Sequence, residues 1–484
     1  MKIVLNDKSL FGNEAAEDEA EDIFTGYAVE RPEISKFLDQ TSPLAIARAY
    51  KGEGKSALLR LVTLRLRSQS LPPLVINVPS SSVSPEFDST DSDKWVRGWK
   101  TNILRLAARE IGATIAYAFS DDAVSLVEEA EANGFKEKSF VSTVSDRLKS
   151  RSIPLERTRT TIQNPEQMLK RWSKDGSQVW FVIDDLDQNF ENTPVFKVKV
   201  ASFFTALRQI ANLIPEFRFR SSVRPNVWSI VKREYEALSH VEQYISDLTW
   251  TQDNFYELIA KRVKGYLQRT GQWAREIDAE YLKLDRMTQN KKLIALVFDD
   301  PMPWGIERNR PPAVILYTLA RHRPRWLVEL WRVAAGSAEK RKREKINFDD
   351  IGNELEAFGK RRVEDTVAEF KSQCPKIEDL LVAFAGQPER FTTDELITML
   401  KNRVLTGTHP IIVGVLGTPS PMEVGHFLYQ IGFLTARRDF GDDKYEHIAY
   451  ADNPTLLKTK TNIDQGYSWE IHPVFRQALK LKNV

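Results

Sequence analysis

The pattern of apolar and polar positions divides the chain into two parts that differ in element type. The first part alternates runs of strand length with helical patterns: the runs cover 44–47, 74–78, 179–183 and 217–223, and the helical patterns cover 57–64, 94–111 and 194–213. Nearly continuous apolar runs are typical of parallel strands, because helices cover both faces of such a sheet. This part therefore predicts an α/β fold with a parallel sheet.

The second part is mostly helical. Amphipathic spacing over 255–267 and 312–330 predicts a helical segment within 241–370. Beyond it, three short helical patterns and two strand-like pieces predict an α+β domain of the winged-helix type at 371–484; these cover 377–384, 393–400, 421–434, 445–450 and 467–471.

The remaining boundaries follow from charge and pattern. Residues 1–24 form an acidic leader, and we interpret its acidic run at 12–22 as a solvated surface segment. Residues 25–240 form the α/β core, and 112–160 is a mostly helical insertion within it.

Composition narrows the class of protein but not its partners. The 484 residues exceed one ordinary domain, and 69 basic against 67 acidic residues give a net charge of +2, which favours no class of partner. No apolar run reaches the roughly 18 residues of a membrane span. The single cysteine, Cys374, fits a reducing compartment, so we expect a cytoplasmic protein without membrane contact. No Cys/His spacing fits a zinc site.

The first chemical signal follows the run at 44–47. Glycines at 52 and 54 precede Lys55 and Ser56, and a helical pattern begins at Ala57. This order predicts a phosphate-binding loop, in which Lys55 reaches the β- and γ-phosphates of ATP and Ser56 holds Mg²⁺. The usual first glycine is replaced by Ala49. The candidate cofactor-binding residues are Tyr50, Lys51, Gly52, Glu53, Gly54, Lys55, Ser56 and Ala57.

The second signal is a pair of carboxylates after the apolar run at 179–183. A buried strand that ends in acids places them at the carboxyl edge of a parallel sheet, where ligands bind. Asp184 would hold Mg²⁺, and Asp185 would orient or deprotonate the attacking water. Asp187 is a weaker candidate.

Together these segments resemble the AAA+/STAND-like branch of P-loop ATPases, and in particular a bacterial P-loop ATPase family of about this length. The resemblance is carried by residues 50–56, Phe181-Val-Ile-Asp-Asp185 and Ser222-Val-Arg224, and it covers about 25–235. The paired acids match the STAND style better than the Asp-Glu of AAA+ proteins. The resemblance implies an ASCE-type sheet with a helical lid and a C-terminal winged helix.

The resemblance also implies arginines that sense the γ-phosphate. Arg224 follows the run at 217–223, and Arg325 opens the helical pattern of a sensor-2-like segment, with Arg323 as the second choice. A neighbouring subunit of a homo-oligomer would add an arginine finger. The candidates for that finger are Arg208, Arg218 and Arg220.

The implied function is an ATP-hydrolysing molecular switch, slow or stimulated by a partner, in which nucleotide state moves the lid and the winged helix. By analogy its role is that of a bacterial regulator in anti-phage defence, with a protein effector or sensor as partner. Two alternatives stay open. One is a DNA-binding motor or loader, and the other is an oligomeric scaffold that binds nucleotide without hydrolysing it.

Contact with DNA depends on weaker signals. The third helix of the predicted winged helix offers His426, Tyr429 and Gln430, and Arg437, Arg438 and Lys444 follow it. Basic stretches at 147–159 and 340–345 are either nucleic-acid contacts or, as we prefer, solvated connectors.

Overall fold

The computed structural model describes residues 2–115, 121–135, 165–172, 178–188, 190–305, 308–406, 410–441, 444–458 and 466–482. The predicted basic stretch at 147–159 lies outside these ranges. The chain forms two compact units. The sheet unit comprises Glu30–Tyr50 and Lys55–Leu248, and the C-terminal unit comprises Met1–Val29, Lys51–Gly54 and Thr249–Val484.

The N-terminal segment belongs to the C-terminal unit and contains α1 (Lys8–Phe11) and α2 (Glu21–Tyr27). Leu10 and Phe11 are buried, and the Phe11 ring meets the Trp331 ring edge-on at 5.3 Å. The acidic run at 12–22, predicted to be a solvated surface segment, is mostly exposed, and Glu19 is its one buried residue. The apolar pair just before it, Leu10 and Phe11, is what packs this segment against the unit.

The sheet unit contains five parallel strands in the order β2-β3-β4-β1-β5, as the α/β prediction requires. The strand β4 lies between β1 and β3, so the strand that leads into the glycine loop does not touch the strand that ends in acids. The bounds are β1 Leu44–Arg48, β2 Leu74–Pro79, β3 Val179–Asp184, β4 Phe217–Val223 and β5 Ile245–Asp247.

Helices of this unit pack on the sheet through large apolar side chains. Trp99 and Phe203 from two of them meet edge-on at 5.0 Å. Thr193 caps α8 by accepting the Phe196 N–H, and Pro194 occupies its first turn, so the sequence marks this helix start clearly. The bounds are α3 Pro32–Leu38, α4 Lys55–Arg67, α5 Ser92–Thr114, α6 Asp121–Ala132, α7 Pro165–Trp172, α8 Pro194–Leu213 and α9 Pro225–Glu234.

Within the described residues between 252 and 382, the C-terminal unit is helical apart from two short strands, β6 (Met302–Pro303) and β7 (Asn309–Arg310). Within the described ranges, no helix is both long enough and apolar enough to cross a membrane. The helix bounds are α10 Gln252–Arg269, α11 Arg275–Tyr281, α12 Arg286–Ile294, α13 Pro312–Leu319, α14 Pro324–Lys340, α15 Phe348–Gly352, α16 Leu355–Phe370 and α17 Ile377–Val382.

The end of the chain combines short helices with an antiparallel sheet of order β10-β9-β11-β8. The two strand-like pieces predicted at 445–450 and 467–471 form β10 and β11, and β9 lies between them and pairs with both. The predicted helix at 421–434 ends early, at Gln430, because Gly432 takes a left-handed φ of +70°. The bounds are β8 Arg390–Phe391, α18 Thr393–Met399, α19 Pro421–Gln430, β9 Leu434–Gly441, β10 Lys444–Ile448, β11 Tyr467–Ile471 and α20 Pro473–Arg476.

Candidate functional site

The predicted phosphate loop joins the end of β1 to the start of α4. Gly52 and Gly54 have φ angles of +84° and +91°, which residues with a side chain rarely adopt. The Lys55 Nζ atom lies 2.9 Å from the Ala49 carbonyl oxygen and 3.4 Å from that of Tyr50, so the lysine folds back over its own loop. Ser56 follows in the first turn of α4, where free backbone N–H groups and the helix dipole favour an anion.

Ala49, the departure from the usual glycine pattern, fits its position without strain. The residue is buried, has no left-handed φ, and donates its N–H to the Val223 carbonyl at 3.2 Å. It thus extends the pairing of β1 with β4 by one residue. The loop does not need a glycine there.

The predicted carboxylates lie at the carboxyl edge of the same sheet. Asp184 is the last residue of β3 and accepts a hydrogen bond from the Ser222 hydroxyl of β4. Asp185 is exposed and has a φ of +62°, an uncommon conformation for a residue with a side chain. Such strain tends to be retained at functional sites, where the surrounding structure enforces it.

Arg224 is held by a residue that the sequence ranked as a weak candidate. Asp187 is buried, lies 3.4 Å from the Arg224 Nε, and accepts the Arg224 backbone N–H. Asp187 therefore fixes both the backbone and the side chain at the point where β4 ends. Its role as an anchor was missed, because the two residues are 37 positions apart in the chain.

The tip of the loop is bound by three residues of the C-terminal unit. Glu53 accepts a hydrogen bond from the Trp250 indole at 2.7 Å through its carbonyl, and the Gly52 carbonyl accepts the Arg325 N–H at 3.4 Å. The Lys51 N–H donates to the Glu369 carboxylate at 3.0 Å. Arg325, the predicted sensor, therefore contacts the loop through its backbone and leaves its side chain half-buried.

Glu369 also holds the second sensor candidate. Its carboxylate lies 2.8 Å from the Arg323 guanidinium, and the two side chains are only 2% and 4% exposed. Arg323 precedes α14 as its N-cap residue, so the buried pair fixes the start of the helix that carries Arg325. No local sequence pattern marks Glu369, which lies near the end of α16.

The burial of Arg220 excludes it as the arginine finger. Arg220 is wholly buried and donates to the carbonyls of Phe37, Ser42 and Asp39, while its guanidinium lies over the Trp180 ring. Burial lowers the pKa of Arg220 to about 9. An arginine with this role cannot reach a neighbouring subunit.

The other two finger candidates are half-buried. Arg218 donates to the backbone carbonyls of Gln40 and Pro215, and Arg208 lies on α8.

The predicted DNA-contact helix is largely covered. Tyr429 is wholly buried and donates to the carbonyls of Ala449 and Asn453, and the His426 Nδ1 lies 2.8 Å from the Leu456 carbonyl. Tyr429 is thus not available to read bases.

The basic stretch at 340–345 is partly structural. Arg343 lies 3.0 Å from the buried Asp350, and Arg341 lies 3.6 Å from it.

The comparisons with known proteins report partial likeness to solved structures. No protein-family model matches the chain, and no curated protein does. The Aeropyrum pernix ORC2 protein in its ADPNP-ADP complexes is 11% identical, with a TM-score of 0.36, over 98% of this chain and 96% of that one. Drosophila ORC bound to DNA is 10% identical with a TM-score of 0.32, over 99% of this chain and 92% of that one.

The Thermotoga maritima RuvB Holliday junction branch migration motor is 12% identical, with a TM-score of 0.34, over 93% of this chain and 97% of that one. At these scores the likeness bears on neither activity nor partner, and the residues of this chain carry the functional proposals below.

Proposed function

We propose that this chain is an Mg-ATP-binding and ATP-hydrolysing switch. The observation that carries the proposal is the loop between β1 and α4, with its two left-handed glycines followed by Lys55 and Ser56 at a helix start. A loop of this shape aims several backbone N–H groups at one anion, and a lysine beside them matches a polyphosphate.

In this proposal, different residues bind the phosphates, hold the metal ion and activate the water. The amides of residues 50–57 and the Lys55 ammonium bind the phosphates, and Ser56 and Asp184 are the oxygen ligands suited to Mg²⁺. Mg²⁺, when bound, supplies positive charge to the phosphate oxygens. Asp185 accepts a proton from the attacking water, a role that its exposure at the sheet edge allows.

Ser222 supports the metal ligand rather than the nucleotide. Its hydroxyl donates to Asp184, and β4 pairs it with Ala47 of β1 on the other side. Ser222 therefore links the two strands, through its side chain to Asp184 and through its backbone place in the sheet to Ala47.

Nucleotide state would be transmitted through the loop tip. Trp250, Arg325 and Glu369 bond its backbone directly, so any change in the loop alters three hydrogen bonds of the C-terminal unit. Arg325 is the proposed sensor of the γ-phosphate, and Arg224, anchored by Asp187, is the second. Loop and lid movements of this kind commonly follow nucleotide turnover.

The proposal extends to assembly and cellular role by resemblance alone. It includes a homo-oligomer with Arg208 and Arg218 as the remaining finger candidates, a protein effector or sensor, and a place in bacterial anti-phage defence. Sedimentation with and without ATP tests the oligomer, because a monomer under both conditions contradicts it.

The deciding experiment is phosphate release from ATP by the full-length protein beside Lys55→Ala and Asp185→Asn. We expect Lys55→Ala to lose ATP binding and Asp185→Asn to keep binding but lose turnover. Lys360→Ala is the matched control, because Lys360 is an exposed lysine paired with Glu356 on α16. Turnover that survives in both variants would overturn the proposal.

The same experiment separates the two alternatives. ATP that stays bound without turnover in the wild-type protein would indicate the non-hydrolysing scaffold. Turnover that rises with duplex DNA and falls with added salt would indicate the motor or loader. The burial of Tyr429 does not favour that outcome.

A further inference from the structure

A cavity of about 520 Å³ lies in the C-terminal unit and is lined mostly by charged side chains of both signs. Lys51 of the loop tip, Arg325 and Arg332 of α14, and Arg361 and Arg362 of α16 all contribute to its wall. All residues that line it belong to this one unit. A volume of this size suits a small molecule.

Most of the wall's charges are already paired with each other. Glu14 lies 2.7 Å from Arg332, and Glu329 lies 2.6 Å from Arg361 and 2.7 Å from Arg362. Glu369 binds Arg323, as described above, and Asp365 lies 3.1 Å from Arg362. The remaining acid of the wall, Glu364, is exposed at its surface.

Two cations of the cavity wall, Lys51 and Arg325, are not among these ion pairs. Within the described part of the chain, the side chains of Lys51 and Arg325 form no ion pair. They are neighbours, because Gly52 bonds the backbone of Arg325 and follows Lys51 directly. Two side-chain cations therefore lie beside the loop tip, where the nearby Glu369 carboxylate is already paired with Arg323.

Arg362, also in the cavity wall, has buried N–H groups that lack a hydrogen-bond acceptor. Its side chain is 5% exposed, and its Nε and Nη1 have no hydrogen-bond acceptor, although the guanidinium lies over the Trp326 ring at 4.5 Å. Buried donors without a partner are costly, and an anion oxygen that enters the cavity would relieve that cost.

We propose that this cavity binds the phosphate group of a small molecule, at a second site beside the phosphate loop. Arginine is suited to phosphate because its planar fork donates two parallel hydrogen bonds. The leftover cations, Lys51 and Arg325, provide the charge, and the paired arginines of α14 and α16 form a wall that holds their positions.

Two sources can provide that phosphate group. One is inorganic phosphate released by hydrolysis, a source that rests on the proposed function. The other is a separate phosphorylated ligand that reports to the loop. Both require the same cavity chemistry.

The test is calorimetric titration of the full-length Lys55→Ala variant, in which the loop has lost its phosphate-binding lysine. The probes are inorganic phosphate and ribose 5-phosphate. We expect saturable binding that Lys51→Ala and Arg325→Ala each weaken by about tenfold or more, as loss of one charge-assisted contact does. Lys360→Ala, on the same helix as Arg361 but outside the cavity, should leave binding unchanged.

The outcomes distinguish the sources and the two proposals. Equal affinity for both probes assigns the site to released phosphate, and tighter binding of ribose 5-phosphate assigns it to a phosphorylated ligand. Absent binding, or binding that neither cavity variant weakens, overturns the inference. If Arg325→Ala does not fold, Lys51→Ala carries the test, because Lys51 is exposed. Phosphate binding in the cavity of a protein that never binds ATP would refute only the proposed function.

Discussion

Two regions of this molecule collect charged side chains and use them in opposite ways. In the C-terminal sheet, the buried Glu470 lies 2.7 Å from Arg437, 2.9 Å from His447 and 3.3 Å from Arg476. At the carboxyl edge of the parallel sheet, Asp185 is exposed on a left-handed backbone. The first cluster satisfies its own charge, and the second presents charge outward.

The difference lies in how the surroundings of each carboxylate stabilise its charge. Burial by itself would raise the pKa of Glu470, but the hydrogen bond from His447 and the charges of Arg476 and Arg437 outweigh it and lower the pKa to about 2. These neighbours stabilise the charged form of the Glu470 carboxylate, so the carboxylate contributes to the stability of the folded protein. An exposed carboxylate such as that of Asp185 contributes little to stability.

The largest expected effect comes from a substitution of Asp184, at the carboxyl edge of the parallel sheet. Asp184→Asn removes the negative charge that suits a divalent cation but keeps an acceptor for the Ser222 hydroxyl. We expect turnover to fall by about 100-fold or more, the scale of losing one electrostatic group from a catalytic site. Phosphate release measured across a series of Mg²⁺ concentrations checks this.

The control for that variant lies in the other region. Asp439→Asn removes a half-exposed carboxylate that pairs with Arg390 and Arg437. It should leave turnover unchanged. Equal losses in the two variants would show that Asp184 acts through general stability.

The second-largest effect comes from removing the charge of Glu470 from the ion-pair cluster of the C-terminal sheet. Glu470→Gln leaves two arginines and a histidine beside a neutral amide, and breaking a buried pair in this way costs about 3 kcal/mol. Urea denaturation monitored by tryptophan fluorescence should show this loss, because Trp469 adjoins the site in β11. Binding of ATP should be unaffected.

The pH dependence has a definite sign. The pKa of Glu470 is lower in the folded state than its ordinary value of 4.5, so its contribution to stability is present in full above pH about 4.5 and is lost as the pH falls toward 2. The wild-type protein should lose stability in this window. Glu470→Gln should lose less, and parallel curves for the two proteins would contradict the assignment.

The sequence predicts the sheet unit well because its signals are local. The helix at 194–213 has a threonine cap, a proline in its first turn and regular apolar spacing, and the structure gives the same bounds. The strand at 217–223 is also confirmed. Buried strands and capped helices are determined largely by neighbouring residues, so a single sequence suffices for them.

The contacts that position the candidate site are not local. Lys51 and Glu369 are 318 positions apart, and no periodicity links a loop amide to a carboxylate near the end of a distant helix. The same holds for Asp187 and Arg224. The burial of Leu10 and Phe11 was not predicted either, because a pair of apolar residues is too short to form a helical or strand pattern.

A smaller effect tests whether ATP binding depends on the left-handed backbone of Gly52 at the loop tip. An alanine at position 52 would have to adopt a φ of +84° with its Cβ 3.3 Å from the Arg325 Cβ. We expect Gly52→Ala to weaken ATP binding by about tenfold, because left-handed strain costs about 1–2 kcal/mol and displaces the loop amides. Calorimetric titration with ATP measures this.

Gly386→Ala is the matched control for that change. Gly386 has a φ of +69°, and an added Cβ there meets nothing within 4 Å. The variant should lose a similar 1–2 kcal/mol of stability and keep its ATP affinity. Weakened ATP binding in Gly386→Ala would show that backbone strain anywhere in the C-terminal unit disturbs the loop.

The smallest expected effect concerns Ala49, which stands where phosphate loops usually have glycine. Ala49→Gly restores that pattern, but the alanine has no left-handed φ and its N–H already bonds Val223. We therefore expect unchanged ATP affinity and a stability loss of about 1 kcal/mol, from glycine's extra freedom in the unfolded chain and a lost buried methyl group. Ala45→Gly, at another buried position of β1, should lose as much stability. A tenfold gain in affinity in Ala49→Gly alone would instead show that the alanine side chain restrains the loop, and that this chain's departure from the pattern tunes how tightly it holds nucleotide.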